Sequence, residues 1–155
     1  VMAHMHYKGT GNVHSFRGLL SDGKQEKIRI QGPTGDRAWR ITKFQGLPEK
    51  PFTQDLEAVV KIYREEQSSI DGEIDFRDDE LLAALTQKWL SGVDNGGVSA
   101  TTIFDNALFS RNIFVTHSDV ASDRTYNYYI ELEEVKLSQT GMAQLAVAAA
   151  RRTID

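Results

Sequence analysis

Histidines are the side chains of this chain best suited to acid–base or metal chemistry, because their charge changes near neutral pH. His4 and His6 are spaced like two residues on one face of a strand, which suits a metal pair, but no third ligand lies near them in the sequence. His117 is followed by Ser118 and Asp119, the three residue types of a catalytic triad. Three consecutive residues seldom reach triad geometry, so we interpret His117 as a loop histidine that bonds within its own turn.

Cysteine chemistry is excluded, and a nucleotide site is disfavoured. The chain has no Cys, which removes thiolate zinc sites, disulfides and a cysteine nucleophile. Residues 9–15 have the outline of a phosphate-binding loop, but Val13 and His14 stand where its second glycine and its lysine are required. We therefore predict no bound cofactor.

Alternating acids are the remaining candidates for ligation. Asp71, Glu73 and Asp75 alternate with apolar residues over residues 70–76, which predicts a strand with one core face and one acidic, solvated face. A calcium site needs six to eight oxygens, and this spacing lacks a coordinating glycine loop. We predict no metal site and no enzymatic activity.

Hydrophobic alternation predicts a mostly β domain that positions these side chains. The predicted strands cover residues 15–20, 24–31, 38–44, 56–63, 70–76, 101–104, 112–117 and 126–137. Asp22 and Gly23 predict a tight hairpin turn between the first two strands. About eight short strands separated by turns are typical of an antiparallel β-sandwich or barrel.

The rest of the chain predicts helices and loops. Leucines and Trp89 at helical spacing predict a short helix over residues 78–90, and an alanine-rich run predicts a short C-terminal α-helix over residues 139–152. Residues 92–97 read as a surface loop. The apolar phase of the last strand changes near Glu133 and Glu134, which predicts a β-bulge there or a bend between sheets.

Domain organisation follows from length and pattern. A chain of 155 residues fits one domain, which we place at residues 13–155, after an N-terminal arm at residues 1–12 without apolar periodicity. No apolar run reaches the roughly 20 residues of a membrane helix, and no signal-peptide pattern is visible, so we expect a soluble protein.

Charge is divided along the chain. The net charge is −4, but residues 1–50 carry nine Lys and Arg against four Asp and Glu, which leaves +5 there and −9 in the remainder. Such halves can pair within the fold or contact different neighbours in an assembly. The acidic remainder disfavours nucleic acid as a partner, although Phe16, Trp39 and Phe44 in the basic part could stack on bases.

Three segments carry a diffuse resemblance to known proteins. Residues 102–117, 126–137 and 6–20 resemble small structural proteins of tailed bacteriophages from aquatic bacteria. Many of those proteins have Gly-Lys where this chain has Val13 and His14. The resemblance implies a non-enzymatic virion protein, either a capsid decoration or cement protein or a tail or baseplate subunit, with other virion proteins such as the major capsid protein as partners.

We expect contacts from the arm, the 92–97 loop and the acidic strand face of a homo-oligomer. The candidate interface residues are His6, Tyr7, Lys8, Arg17, Arg40, Asp71, Glu73, Asp75, Asp94, Asn95 and Tyr129. A carbohydrate-binding module is the alternative of a different class, with Trp89, Tyr126 and Tyr129 as its sugar platform. A hydrolase that uses His117 is a third hypothesis.

Overall fold

The computed structural model describes residues 8–30, 37–91 and 98–137, which form eight strands in two antiparallel sheets. The strands are β1 (Lys8–Leu20), β2 (Lys24–Ile28), β3 (Arg37–Pro48), β4 (Leu56–Tyr63), β5 (Leu81–Trp89), β6 (Val98–Phe104), β7 (Ile113–Asp119) and β8 (Tyr126–Lys136). One sheet has the order β1-β8-β3 and the other the order β2-β7-β4-β5-β6. The predicted mostly β, antiparallel class is confirmed, whereas the predicted helix at residues 139–152 and loop at 92–97 lie outside the described residues.

The two sheets share one hydrophobic core. Its contributions come mainly from the central strands: Tyr126, Tyr128, Ile130 and Leu132 of β8, and Leu56, Ala58, Val60 and Ile62 of β4. In β8 burial alternates from Tyr126 to Leu132, as a pleated strand with one face on a core requires, whereas in β4 both faces are largely buried. Within the described part of the chain, no helix has the length and hydropathy needed to cross a bilayer.

The turn at Asp22 and Gly23 forms where it was predicted, but it does not make a hairpin. Gly23 has a φ of 75°, and the Lys24 N–H donates to the Ser21 carbonyl at 3.2 Å. The flanking strands pair elsewhere, β1 with β8 and β2 with β7. The turn therefore carries the chain from one sheet to the other, and the hairpin prediction is wrong because a local turn signal does not specify strand partners.

The predicted helix at residues 78–90 is wrong, because β5 occupies most of that range. The residue opposite Ile62 is Ala83, but the residue opposite Tyr63 is Leu81, so Leu82 bulges out of the ladder. Leu82 and its three successors are all buried. A bulge that interrupts alternation inside a well-covered strand produces consecutive apolar positions, which imitate helical spacing.

The predicted strand at residues 70–76 is also wrong, because these residues belong to the loop between β4 and β5. Asp71 Oδ1 accepts the Glu73 N–H and Asp75 Oδ1 accepts the Arg77 N–H, each at 3.0 Å. Asp side chains that bond the backbone two residues ahead build turns instead of ladders. The alternation of acids therefore reflects successive turns.

The strand β1 begins earlier than predicted and takes in residues 8–12 of the predicted arm; residues 1–7 lie outside the described part. Gly9 pairs with Val135 and Val13 pairs with Glu133, so residues 10–12 lie opposite the single residue Glu134. The pairing of β8 with β3 is continuous through Glu133 and Glu134. The irregularity predicted for β8 thus lies in β1. The apolar positions of β8 change from even to odd numbers because Val135 is buried on the face opposite to Leu132.

Candidate functional site

The outer face of the three-stranded sheet brings two predicted interface residues together. Arg17 of β1 lies opposite Tyr129 of β8, which lies opposite Gln45 of β3. The next row is formed by Leu19, Asn127 and Leu47. These residues alternate with core residues, so their side chains point away from the core. We call this set the outer patch: Arg17, Leu19, Gln45, Leu47, Asn127 and Tyr129.

The outer patch combines exposed apolar side chains with a tyrosine whose hydroxyl is hydrogen-bonded. Leu19 and Leu47 flank Asn127, and Leu47 is 65% exposed. The Tyr129 hydroxyl donates to Glu131 Oε1 at 2.8 Å. That hydrogen bond, more than desolvation, raises the pKa of Tyr129 above its usual value, while Arg17 opposes the shift. Tyr and Arg beside exposed aliphatic side chains are typical of protein interfaces.

An open groove of about 1090 Å³ connects the outer patch with the five-stranded sheet. Two glycines make room for the tyrosines beneath it. A Cβ on Gly18 would lie 2.7 Å from the Tyr128 hydroxyl oxygen, and one on Gly46 would meet the Tyr126 ring and lie 2.9 Å from the Asn127 carbonyl oxygen. The Tyr126 hydroxyl donates to Gln87 Oε1, and burial raises the pKa of Tyr126 above its usual value. The groove is further lined by Lys43, Leu85, Ala100 and Thr102.

The predicted acidic residues lie elsewhere, in the loop over the outer side of β4. Lys61 of β4 is only 2% exposed, and its Nζ lies 3.2 Å from Asp71 Oδ1 and donates to the Glu73 carbonyl at 2.6 Å. The Glu73 N–H and then Lys61 lower the pKa of Asp71. Asp75 bonds Arg77 at 2.9 Å. Asp71 and Glu73 thus hold a buried cation, instead of forming the predicted acidic strand face.

Arg40 lies on the same outer face as Arg17 but is engaged by an acid of β8. Its Nε and Nη2 donate to Glu133 Oε1 at 3.0 and 2.5 Å, and Arg37 Nη1 lies 2.6 Å from Glu134 Oε1. Both pairs are partly buried. They join the basic first third of the chain to its acidic remainder within one molecule, which favours the internal interpretation of the charge division at these residues.

The other candidate interface residues contribute less. Lys8 is the first residue of β1 and lies opposite Lys136. His6, Tyr7, Asp94 and Asn95 lie outside the described residues.

His117 is a core residue of β7, so its interpretation as a loop histidine is wrong. Its Nε2 donates to the Arg124 carbonyl at 2.7 Å, and its ring stacks on Tyr126 with centroids 5.5 Å apart. Its Nδ1 has no partner among the described residues. Asp119 accepts backbone N–H groups of Glu57, Ala121, Ser122 and Arg124. The residues 117–119 therefore do not form a triad, and within the described ranges no cluster of three or more His, Asp or Glu could hold a metal ion.

The predicted sugar platform of three aromatic residues does not form. Tyr126 is 1% exposed and faces the core. Trp89 lies on β5 against Phe52, with ring centroids 6.0 Å apart, whereas Tyr129 lies on the outer face of the other sheet. Trp39 and Phe44 are also buried, so they cannot stack on nucleic-acid bases as the sequence suggested.

Leu19, Leu47 and Gln45 were missed as candidates. A signal existed for Leu19, an apolar residue that lies on the solvent side of β1 beside the buried Leu20. Leu47 has the parity of the buried Trp39 and Ile41, and it reaches the outer face only because the register of β3 shifts between Ile41 and Lys43, which the sequence does not indicate.

No protein-family model and no curated protein matches this chain. The resemblance to phage structural proteins therefore stays a prediction. The outer patch and the groove are the candidate binding surfaces of the described residues.

Proposed function

We propose that the protein is a non-enzymatic structural component of a bacteriophage virion, a capsid decoration or cement protein that binds neighbouring shell subunits. The single observation that carries the binding role is the outer patch, in which Arg17, Tyr129 and two exposed leucines share one face of a sheet. The resemblance described above supplies the virion as the setting. A β-sandwich built from the two sheets would present this face as a rigid surface.

The composition of the patch fits a protein partner. Leu19 and Leu47 offer apolar area, while Tyr129 and Arg17 offer a ring and a cation, two residue types that are enriched at protein interfaces. Lys43 and Arg17 add positive charge beside Tyr129. We expect the partner surface to be apolar with acidic residues at its rim, so binding weakens as salt is raised.

The first experiment asks whether the protein is a virion component. Purified virions of the phage that encodes this chain are analysed by quantitative mass spectrometry. We expect the chain in a number of copies comparable to the major capsid protein. A few copies per particle would indicate the tail or baseplate alternative, and absence from the particles would overturn the proposal.

The second experiment tests the patch with a matched pair of variants. Leu47→Glu and Phe76→Glu each place a carboxylate at a side chain that is 65% exposed, but Phe76 lies in the loop of the other sheet. We expect Leu47→Glu to reduce co-sedimentation with shells on the order of tenfold or more, as interface centres do. Phe76→Glu should bind like the wild type. Equal binding by both variants would remove the outer patch from the proposal.

Carbohydrate binding is the second candidate, favoured by the groove alone. Gln45, Gln87 and Asn127 line it with amide groups that hydrogen-bond hydroxyls in both directions, next to Tyr129. A glycan array probed with the isolated protein tests it. Binding that is lost in Gln87→Leu would support this function, and an array without signal would eliminate it.

A further inference from the structure

The described residues form two sheets with four edge strands, and three of these edges carry features that prevent pairing with another chain. The edge strand β1 has its ladder broken opposite Glu134. The short β2 has two lysines among five residues, and β3 carries three cationic residues and ends at Pro48. Breaks in the ladder, cationic side chains and proline are the usual protection of exposed edges.

The fourth edge, β6, has none of these features. Its seven residues, VSATTIF, contain no charge, no proline and no glycine. Its pairing with β5 runs without a register shift from Ala83 opposite Phe104 to Trp89 opposite Val98. Residues 99–104 are all exposed, including Ile103 and Phe104. Among the described residues, no other strand pairs with the outer side of β6, although β3 of the other sheet comes within 8 Å of it between Cα atoms. In this part of the chain β6 is therefore a regular, uncharged, unpaired edge of high β-propensity.

We propose that β6 pairs antiparallel with β6 of a second copy of this chain, around a two-fold axis at Thr101. In this register Thr101 lies opposite its own copy, Ala100 opposite Thr102, and Ser99 opposite Ile103. No two charges meet, and Thr–Thr is a favourable cross-strand pair. The same patch serves both copies, as a closed two-fold dimer requires. The two five-stranded sheets become one sheet of ten strands, within the size that open sheets reach.

The groove supports the geometry of this dimer. Ala100 and Thr102 of β6 line the groove, so they mark the face of the sheet on which it opens. A two-fold axis perpendicular to the sheet keeps that face on the same side in both copies. The two grooves and their outer patches then face one direction, which presents two binding surfaces to one partner. The dimer itself does not depend on the proposed shell binding.

The interface is small, which defines what the experiment must detect. Edge pairing over seven residues a side buries less than a standard interface, so we expect dissociation in the micromolar to millimolar range. Sedimentation equilibrium from about 10 µM to 1 mM should show a concentration-dependent shift from the 17.4 kDa monomer toward the dimer.

Charge variants at the axis test the register. Thr101→Lys and Thr101→Glu each place two like charges opposite each other and should weaken dimerisation about two- to fivefold. An equimolar mixture of the two variants should restore association, because Lys then faces Glu. Thr42→Lys, an exposed threonine on the edge strand β3, is the control and should dimerise like the wild type. Far-UV circular dichroism of each variant verifies folding.

Three results would overturn the proposal. These are a monomeric wild type at 1 mM, dimerisation of both axis variants at wild-type strength, and loss of association that the mixture does not restore. Equal loss in Thr42→Lys would assign the dimer to another edge.

Discussion

Individual buried ions in this protein are held by backbone groups as much as by opposite charges. Lys61 is buried in the middle of β4, yet its only ionic partner among the described residues, Asp71, has a side chain that is 58% exposed. The second bond of Lys61 goes to the Glu73 carbonyl. Removing Asp71 leaves a buried cation with one carbonyl and the face of the Tyr63 ring, 5.4 Å from Lys61 Nζ. Removing the charge of Lys61 instead leaves a carboxylate that water can solvate.

This asymmetry gives a prediction for Asp71→Asn. We expect it to lower the free energy of unfolding by no more than about 1 kcal/mol at pH 7, because the amide oxygen of Asn can still accept from Lys61 Nζ and the charge that is lost is largely solvated. The folded pKa of Asp71 lies below its usual value of 3.8, so its stabilisation is present above that value and is lost as pH falls through the folded pKa. Urea denaturation at pH 7 and pH 2.5 should show a difference from wild type at the first pH that is much reduced at the second.

Two comparison variants keep this prediction specific. Asp79→Asn removes an exposed carboxylate of the same loop and should leave stability unchanged. Lys61→Met should cost less than Asp71→Asn, because it removes the buried charge itself. A larger loss in Lys61→Met, or a pH-independent loss in Asp71→Asn, would contradict this account of the lysine.

The glycines beneath the groove give a second residue-scale prediction. Gly46→Ala should destabilise by about 2–3 kcal/mol, because its methyl meets the Tyr126 ring and a backbone carbonyl that cannot move away. Gly9→Ala is the comparison: its methyl meets the end of a flexible side chain, the Glu133 carboxylate, which can shift only by loosening its bonds with Arg40, so a smaller loss is expected. Thermal unfolding of both variants should show the lower midpoint for Gly46→Ala. Equal midpoints would mean that the ring has room to move.

At the scale of elements, one arginine joins two connections that the sequence separates by about 70 residues. Arg124, in the loop between β7 and β8, is buried, and its Nη1 donates to the Gln54 carbonyl at 2.6 Å and its Nη2 to the Lys50 carbonyl. Both acceptors lie between β3 and β4. The two loops therefore close one end of the core together.

Arg124→Met should release the loop at residues 49–55. The variant keeps the length of the side chain but removes the arginine donor from the Gln54 carbonyl and leaves the Lys50 carbonyl with the Thr53 hydroxyl, which costs about 1–2 kcal/mol of stability. Hydrogen exchange by mass spectrometry should show faster exchange in residues 49–55. Arg111→Met, which replaces an exposed arginine, should match the wild type. Unchanged exchange in Arg124→Met would show that other contacts hold the loop.

For the whole molecule, the distribution of its two tryptophans provides a probe for each sheet. Trp39 lies on β3 of the three-stranded sheet and Trp89 on β5 of the five-stranded sheet. Both contact the core that the sheets share. A shared core couples the sheets, so neither is expected to unfold alone.

Single-tryptophan variants test this coupling. In Trp89→Phe the fluorescence reports on the three-stranded sheet, and in Trp39→Phe it reports on the five-stranded sheet. We expect the fluorescence transition in urea to coincide with the far-UV circular dichroism transition of the same variant. A fluorescence midpoint that precedes the circular dichroism midpoint in one variant would show that its sheet unfolds independently.

Local patterns of apolar residues in the sequence were sufficient to predict most strands and their inward faces. The bounds of β4 are those predicted, and the even residues of β8 from Tyr126 to Leu132 face the core as their alternation indicated. The prediction for β8 succeeded because only one of its two faces lies on the core at these residues, so apolar and polar side chains alternate. The prediction for β4 rests on a nearly continuous apolar run, since both of its faces are largely buried. Where an element departs from simple alternation, at the bulge of β5 and the turns of residues 70–76, the same signal misled.

Strand partners, edges and surfaces came only from the tertiary structure. The amino-acid sequence predicts a turn at Gly23, but not that β1 and β2 enter different sheets, nor that β6 is left at an edge. It contains Arg17, Tyr129 and Leu47 far apart, and their meeting on the outer patch depends on β8 lying between β1 and β3. These strands pair across about 80 to 130 residues of sequence. Such pairing is decided by burial of the shared core, a free energy of the whole chain that no local pattern contains.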